Sequence, residues 1–178
     1  MPRLALSAIG ADRPGIVAAV TGALVDSGCN LEDTTMAILR GQFAMMLVVA
    51  APDGVSATDI EAVVGAATAE LELVVTVRPI AEGAPRSNVG EAWTVAVYGA
   101  DRPGIVHRVT TVLAEQGANV VDLTTRVIGD AERPVYAMSL DVTVPAGTDG
   151  AGLAARLDEL GAELGVSCSA HPADADIL

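Results

Sequence analysis

At 178 residues the chain is long enough for one domain or two, and 51% hydrophobic content with only 2% aromatics implies a core of small branched side chains. A formal net charge of −13 and a pI near 4.3 argue against a basic face that neutralises phosphates, and so against direct nucleic-acid binding and attraction to an anionic membrane. No apolar run reaches the ~18–20 residues of a membrane span, no signal-peptide core opens the chain, and Cys29 and Cys168 make no disulfide framework, so a cytoplasmic protein is expected.

The first predicted strand covers residues 3–9, where Leu4, Leu6 and Ala8 alternate inward. Gly10-Ala11-Asp12-Arg13-Pro14-Gly15-Ile16-Val17 follows. Pro14 suits the first helical position, and Asp12 is placed to cap the amides of the first turn. The helix sets Ile16, Val20, Ala23, Leu24 and Ser27 on one face, and Gly28 ends it with a left-handed cap. A strand over 31–39, a turn at Arg40-Gly41-Gln42 and a strand over 43–51 read as a hairpin. From Phe43 to Val49 this last strand is apolar without alternation, the mark of burial on both faces. Beyond Pro52-Asp53-Gly54, a helix over 58–71 groups Ile60, Val63, Val64 and Ala67, and a strand over 72–78 closes the unit. Residues 80–90, rich in Ala, Gly, Pro and Ser, read as a linker.

The opening octet then returns letter for letter as Gly99-Ala100-Asp101-Arg102-Pro103-Gly104-Ile105-Val106, at an offset of 89 residues. Val20, Thr21, Leu24, Gly28, Asn30 and Asp33 return at the same offset as Val109, Thr110, Leu113, Gly117, Asn119 and Asp122. Solenoid units run roughly 20–50 residues, so this period is that of a small domain. The second copy is predicted as a strand over 93–98, a helix with Ile105, Val109, Val112 and Leu113 inward, and a stop at Gly117. Strands over 120–128 and 135–144 follow, joined by a longer loop through Gly129 and Pro134. A helix over 152–164, a strand over 166–170 and a frayed tail complete it. The fold class is α+β: two ferredoxin-like βαββαβ modules, residues 1–79 and 91–171, with a linker at 80–90 and a tail at 172–178. Each is a four-stranded antiparallel sheet with two helices on one face. Tyr136, Met138, Leu140, Val142 and Val144 alternate cleanly with smaller or polar residues, so the two sheets should be covered differently. The first module's open face, read as lying around Met45 and Leu47, is taken as an interface. Contact there, or edge-to-edge pairing, predicts at least a homodimer.

A ligand site is read at the two turns, residues 10–15 and 99–104. Gly15 and Gly104 leave the helix amides approachable, and those amides with the helix dipole favour an anion such as a carboxylate. Asp12 and Asp101 suit an α-ammonium group, while Asn30 and Asn119 offer both donors and acceptors. The candidate residues are Asp12, Arg13, Pro14, Gly15, Ile16 and Asn30, with Asp101, Arg102, Pro103, Gly104, Ile105 and Asn119. The same residue types also build the turn with no ligand, and Arg13 and Arg102 read more naturally as solvated or ion-paired. No Lys-Ser/Thr follows the glycines, so the turn is not a phosphate-binding P-loop. Cys29, Cys168, His107 and His171 lack metal-ligand spacing. Cys29 reads as a small buried residue, and His107, at the position of Ala18, as a helix-surface residue. Thr34-Thr35 and Thr124-Thr125 read as ordinary strand residues. No Ser-His-Asp or Cys-His set is present, and neither a cofactor nor a metal is expected.

A module opening Asp-Arg-Pro-Gly-Ile-Val, then a helix, then Gly-x-Asn and a strand, resembles the ACT domain. Two copies with nothing appended are similar to the stand-alone tandem ACT proteins of the glycine cleavage system repressor group. The resemblance implies modules that associate through sheets and helices, and small ligands, usually amino acids, bound near the first strand–helix turn at module interfaces. It also implies control of a separate protein partner and no chemistry. Serine-binding members often carry Asn where Asp12 and Asp101 stand, so serine specificity does not transfer. The expectation is a non-enzymatic regulator that binds a small amino acid or similar metabolite and controls a partner, such as a transcription regulator of amino-acid metabolism. The rivals are a ligand-free interaction or scaffolding subunit, and an enzyme.

Overall fold

The computed structural model describes residues 1–81, 90–129 and 134–173. It divides into two compact units, Met1–Ala84 and Pro85–Leu178. Most of the predicted linker, the tip of the second hairpin loop and the end of the tail lie outside the described residues.

The first unit runs β1 (Arg3–Ala11), α1 (Ile16–Asp26), β2 (Asn30–Leu39), β3 (Gln42–Ala50), α2 (Ala57–Ala67), a 3-10 turn (Ala69–Leu71) and β4 (Val74–Pro79). The second runs β5 (Glu91–Gly99), α3 (Ile105–Glu115), β6 (Asn119–Ile128), β7 (Val135–Val144), α4 (Gly150–Leu164) and β8 (Val166–Pro172). Their antiparallel sheets are ordered β2-β3-β1-β4 and β6-β7-β5-β8. Both are βαββαβ modules with the ferredoxin-like strand order.

The first core forms where Leu4, Leu6 and Ala8 of β1 meet Phe43, Met45, Leu47 and Val49 of β3 beneath Ile16, Val20, Ala23 and Leu24 of α1. Its twin packs Trp93, Val95 and Val97 with the alternate residues of β7 beneath Ile105, Val109, Val112 and Leu113. Each first helix stops as its glycine dictates. Gly28 and Gly117 take φ of 71° and 69°. Cys29 N–H then bonds the Leu24 carbonyl and Gly28 N–H that of Val25, the Schellman pattern, repeated by Ala118 to Leu113 and Gly117 to Ala114. Between β2 and β3 the chain turns on Arg40 and Gly41, both at positive φ, as a two-residue hairpin requires.

Four sequence expectations are corrected. The run Phe43 to Val49 does alternate in burial: Leu47 is 1% exposed but Met46 is 48% exposed. Met45 and Leu47 face the helices, so the open face is made by Ala44, Met46 and Val48 instead. Their small or flexible apolar side chains, on the side no helix covers, hid the alternation. In α2 the buried residues are Ile60 and Val64, followed by Thr68 just beyond its end, whereas Val63 and Ala67 point outward. A strict four-residue step places the helix on its sheet. Cys29 is half-buried, a partial cover on the core. The fourth correction, at the start of the first helices, bears on the site. Cys168 is the buried thiol, and burial pushes it up to about 11.

The two edges of the first sheet differ. Along β4, the Glu61 carboxylate accepts from Val77 N–H at 2.8 Å, which blunts that edge. On the other edge all ten residues of β2 are exposed.

Candidate functional site

The two second helices begin on side-chain caps. Ser56 and Asp59 form a reciprocal capping box at α2, and Asp149 accepts from Gly152 N–H at α4. The two first helices do not. The residue before Ile16 is Gly15 at φ 93°, and that before Ile105 is Gly104 at φ 91°, and no side chain caps either helix. Pro14 therefore precedes the helix and is not its first residue, and Asp12 is not its cap. The left-handed glycine turns the chain after the proline, and the Asp12 N–H bonds the Gly41 carbonyl at the hairpin tip, at 2.8 Å. A β-carbon at Gly15 or Gly104 would meet nothing within 4 Å among the described residues, so neither glycine is there for want of room. A helix start of this kind presents N–H groups and a positive dipole end to an anion.

Around the first corner, Asp12, Arg13 and Pro14 are exposed, whereas Ile16 is buried. Only the backbone amide of Ile16 is left for a ligand, and the same is true of Ile105. Arg13 donates from Nη1 to the Glu70 carbonyl at 3.2 Å and from Nη2 to Glu72 Oε2 at 2.9 Å. Arg102 donates from Nη1 to the Leu164 carbonyl at 3.0 Å. Arg13 thus ties its turn to the 3-10 turn that follows α2, and Arg102 ties its own to the last residue of α4. Phe43 pairs with Gly10 beneath the first corner, and Tyr136 pairs with Gly99 beneath the second. The Tyr136 hydroxyl donates to Met138 Sδ at 3.5 Å, and burial together with the Asp101 charge raises its pKa. Tyr136 and Glu72 were missed in the sequence.

The asparagines lie elsewhere. Asn30 pairs with Ala50, which pairs with Arg3, whereas the turn leaves the sheet beyond Gly10. Asn119 pairs with Thr143, which pairs with Ala92, again at the far end from Gly99. Seven residues of strand separate the two ends, roughly 24 Å. Within its own module neither asparagine reaches the corner.

Among the described residues no group of three or more metal-binding side chains occurs, and no helix is long and apolar enough to cross a membrane. His107 is exposed on α3, as expected. Nearby, Arg108 and Arg156 share Glu163, holding its carboxyl below the usual range chiefly through the Arg108 hydrogen bond.

Known proteins share this arrangement. The chain is 28% identical over 163 residues to the glycine cleavage system transcriptional repressor of Escherichia coli (strain K12), covering 90% of this chain and 85% of that one. A solved structure from Galdieria sulphuraria, an unknown protein, superposes with a TM-score of 0.81 at 28% identity, covering 97% of this chain and 98% of that one. A candidate glycine cleavage system transcriptional repressor of known structure shares the fold, with a TM-score of 0.68 at 22% identity over 96% of both chains. Residues 3–78 and residues 93–160 each match the ACT domain family. The chain belongs to that family and carries two ACT domains in tandem.

Proposed function

We propose that the protein is a non-enzymatic regulator that binds a small amino acid or related metabolite at the strand–helix corners and passes its occupancy to a protein partner. The observation that carries this reading is the pair of uncapped helix starts: the same chain caps α2 and α4 with side chains and leaves α1 and α3 open behind left-handed glycines. A ligand carboxylate would meet the amides, and its ammonium would meet exposed Asp12 or Asp101. Binding controls a partner only through different affinities for two states, and a coupling of ~1–3 kcal/mol suffices for a several-fold change or more. The relative named as a transcriptional repressor favours a partner in amino-acid metabolism. Isothermal titration of the full chain with the twenty amino acids should give saturable heat with at least one. Silence across that panel removes the amino-acid reading.

With a charge of −13 the protein would act on transcription through another protein and not through DNA. The purified chain alone should leave duplex DNA unshifted in a gel, and a shift at physiological salt would overturn this route.

Self-association fits the same reading. The open edge of β2 can pair with a second copy about a two-fold axis, each strand satisfying the other's outward N–H and C=O groups, beside the apolar face carrying Met46. That edge and face also favour a second reading, a ligand-free interaction subunit. A melting temperature unmoved by every metabolite, beside a stable co-purified partner, would select it.

A further inference from the structure

We propose that the two corners are not equivalent: the second receives the ligand's carboxylate through Arg102, while in the first module the carboxylate of Glu72 already fills that place. This rests on the ligand reading above and names the binding corner within it. Strand register fixes the correspondence. Ile9 pairs with Val74, and its twin Tyr98 pairs with Ser167. Two residues before each partner stand Glu72 and Gly165, at equivalent positions and both left-handed, with φ of 54° and 69°.

Glycine takes that conformation freely, whereas a side chain resists it. The first module nonetheless keeps glutamate there, in a strained conformation of the kind retained where a side chain is needed. The Glu72 carboxylate lies 2.9 Å from Arg13 Nη2. It marks where an anion sits against this arginine. In the second module Arg102 bonds only the Leu164 carbonyl, and no carboxylate pairs with it among the described residues. A β-carbon on Gly165 would lie 3.1 Å from Arg102 Nη1, so the bare glycine keeps that side of the guanidinium clear. A guanidinium offers five donors in a planar fork suited to a carboxylate, and one backbone carbonyl leaves most of them unused.

The floor of the corner points the same way. Tyr136, 8% exposed, stands where the first module has Phe43. Among the described residues its hydroxyl bonds only the Met138 thioether, a weak acceptor. The first corner is therefore internally satisfied and apolar beneath. The second holds, among the described residues, a guanidinium bonded to a carbonyl but to no carboxylate, helix amides without a side-chain cap, and a phenol. The ligand class is a small α-amino acid, its carboxylate on Arg102 and the α3 amides and its ammonium toward Asp101.

The test is calorimetric titration of the full chain with each of the twenty amino acids, and with acetate as the bare carboxylate. The wild type should bind at one site per chain, with acetate weaker than the amino acid. Gly165→Glu, which writes the first module's carboxylate into the second, and Arg102→Gln should each weaken binding at least about tenfold. Glu72→Gly should raise the stoichiometry to two. Should Gly165→Glu fail to fold, Arg102→Gln carries the test, since among the described residues this exposed side chain makes a single hydrogen bond. Two equal sites in the wild type, or undiminished binding in both second-corner variants, would overturn the assignment and leave the regulator reading standing. Silence of the wild type toward every probe would overturn both.

Discussion

Leu47→Lys should unfold the first module, whereas Met46→Lys should leave it folded. The two residues are neighbours on β3, both apolar, but Leu47 is 1% exposed and Met46 is 48% exposed. Leu47 packs with Leu6, its partner across the sheet, beneath the helices. An ammonium there has no acceptor within the apolar cluster, so the change costs about 4 kcal/mol or more. That is a large share of the stability of a module this small, since whole domains retain only ~5–15 kcal/mol. Hydrogen exchange should show the amides of residues 3–78 losing protection in Leu47→Lys while those of the second module keep theirs. In Met46→Lys the protection should persist, and light scattering should report a lower mass if the open sheet face joins two copies. A folded Leu47→Lys protein would mean that the burial pattern of β3 is wrong. An unchanged mass in Met46→Lys would exclude that face as a contact between copies.

The residues that define the modules were legible because each obeys a local rule. Gly28 and Gly117 stop helices, Arg40-Gly41 turns a hairpin, and Leu4, Leu6 and Ala8 alternate; none of these depends on distant contacts. The corner was less legible because two local rules competed there. Proline at the first helical position is a sound prior, but a glycine able to take φ 93° directly after it moves the helix start to Ile16 and releases Asp12 from capping. The position of the asparagines depends on the tertiary fold. Asn30 follows the helix closely in sequence, yet an eleven-residue helix carries the chain back along the whole sheet before Asn30 begins β2. Tyr136, Glu72 and Gly165 were hidden by a shift in the repeat. The longer second hairpin moves the offset from 89 to 93, which aligns Phe43 with Tyr136 and Glu72 with Gly165.

Gly15→Val and Gly104→Val should each destabilise their module by about 2 kcal/mol. The cause is conformational alone. A β-carbon at either position meets nothing within 4 Å, but φ of 93° and 91° is a region that a β-branched residue avoids. For a module of this size the loss corresponds to a fall in melting temperature of roughly 8–16 °C. Valine therefore confounds strain with occlusion, and a binding loss in these variants says little by itself. Gly15→Asn and Gly104→Asn separate the two effects, because asparagine enters the left-handed region far more readily while still setting a side chain beside the helix amides. The asparagine variants should melt several degrees above their valine counterparts. If ligand binding needs the open helix start of α3, Gly104→Asn should lose it at a melting temperature close to that of the wild type. Equal melting of the valine and asparagine variants would show that the helix start does not depend on a left-handed residue.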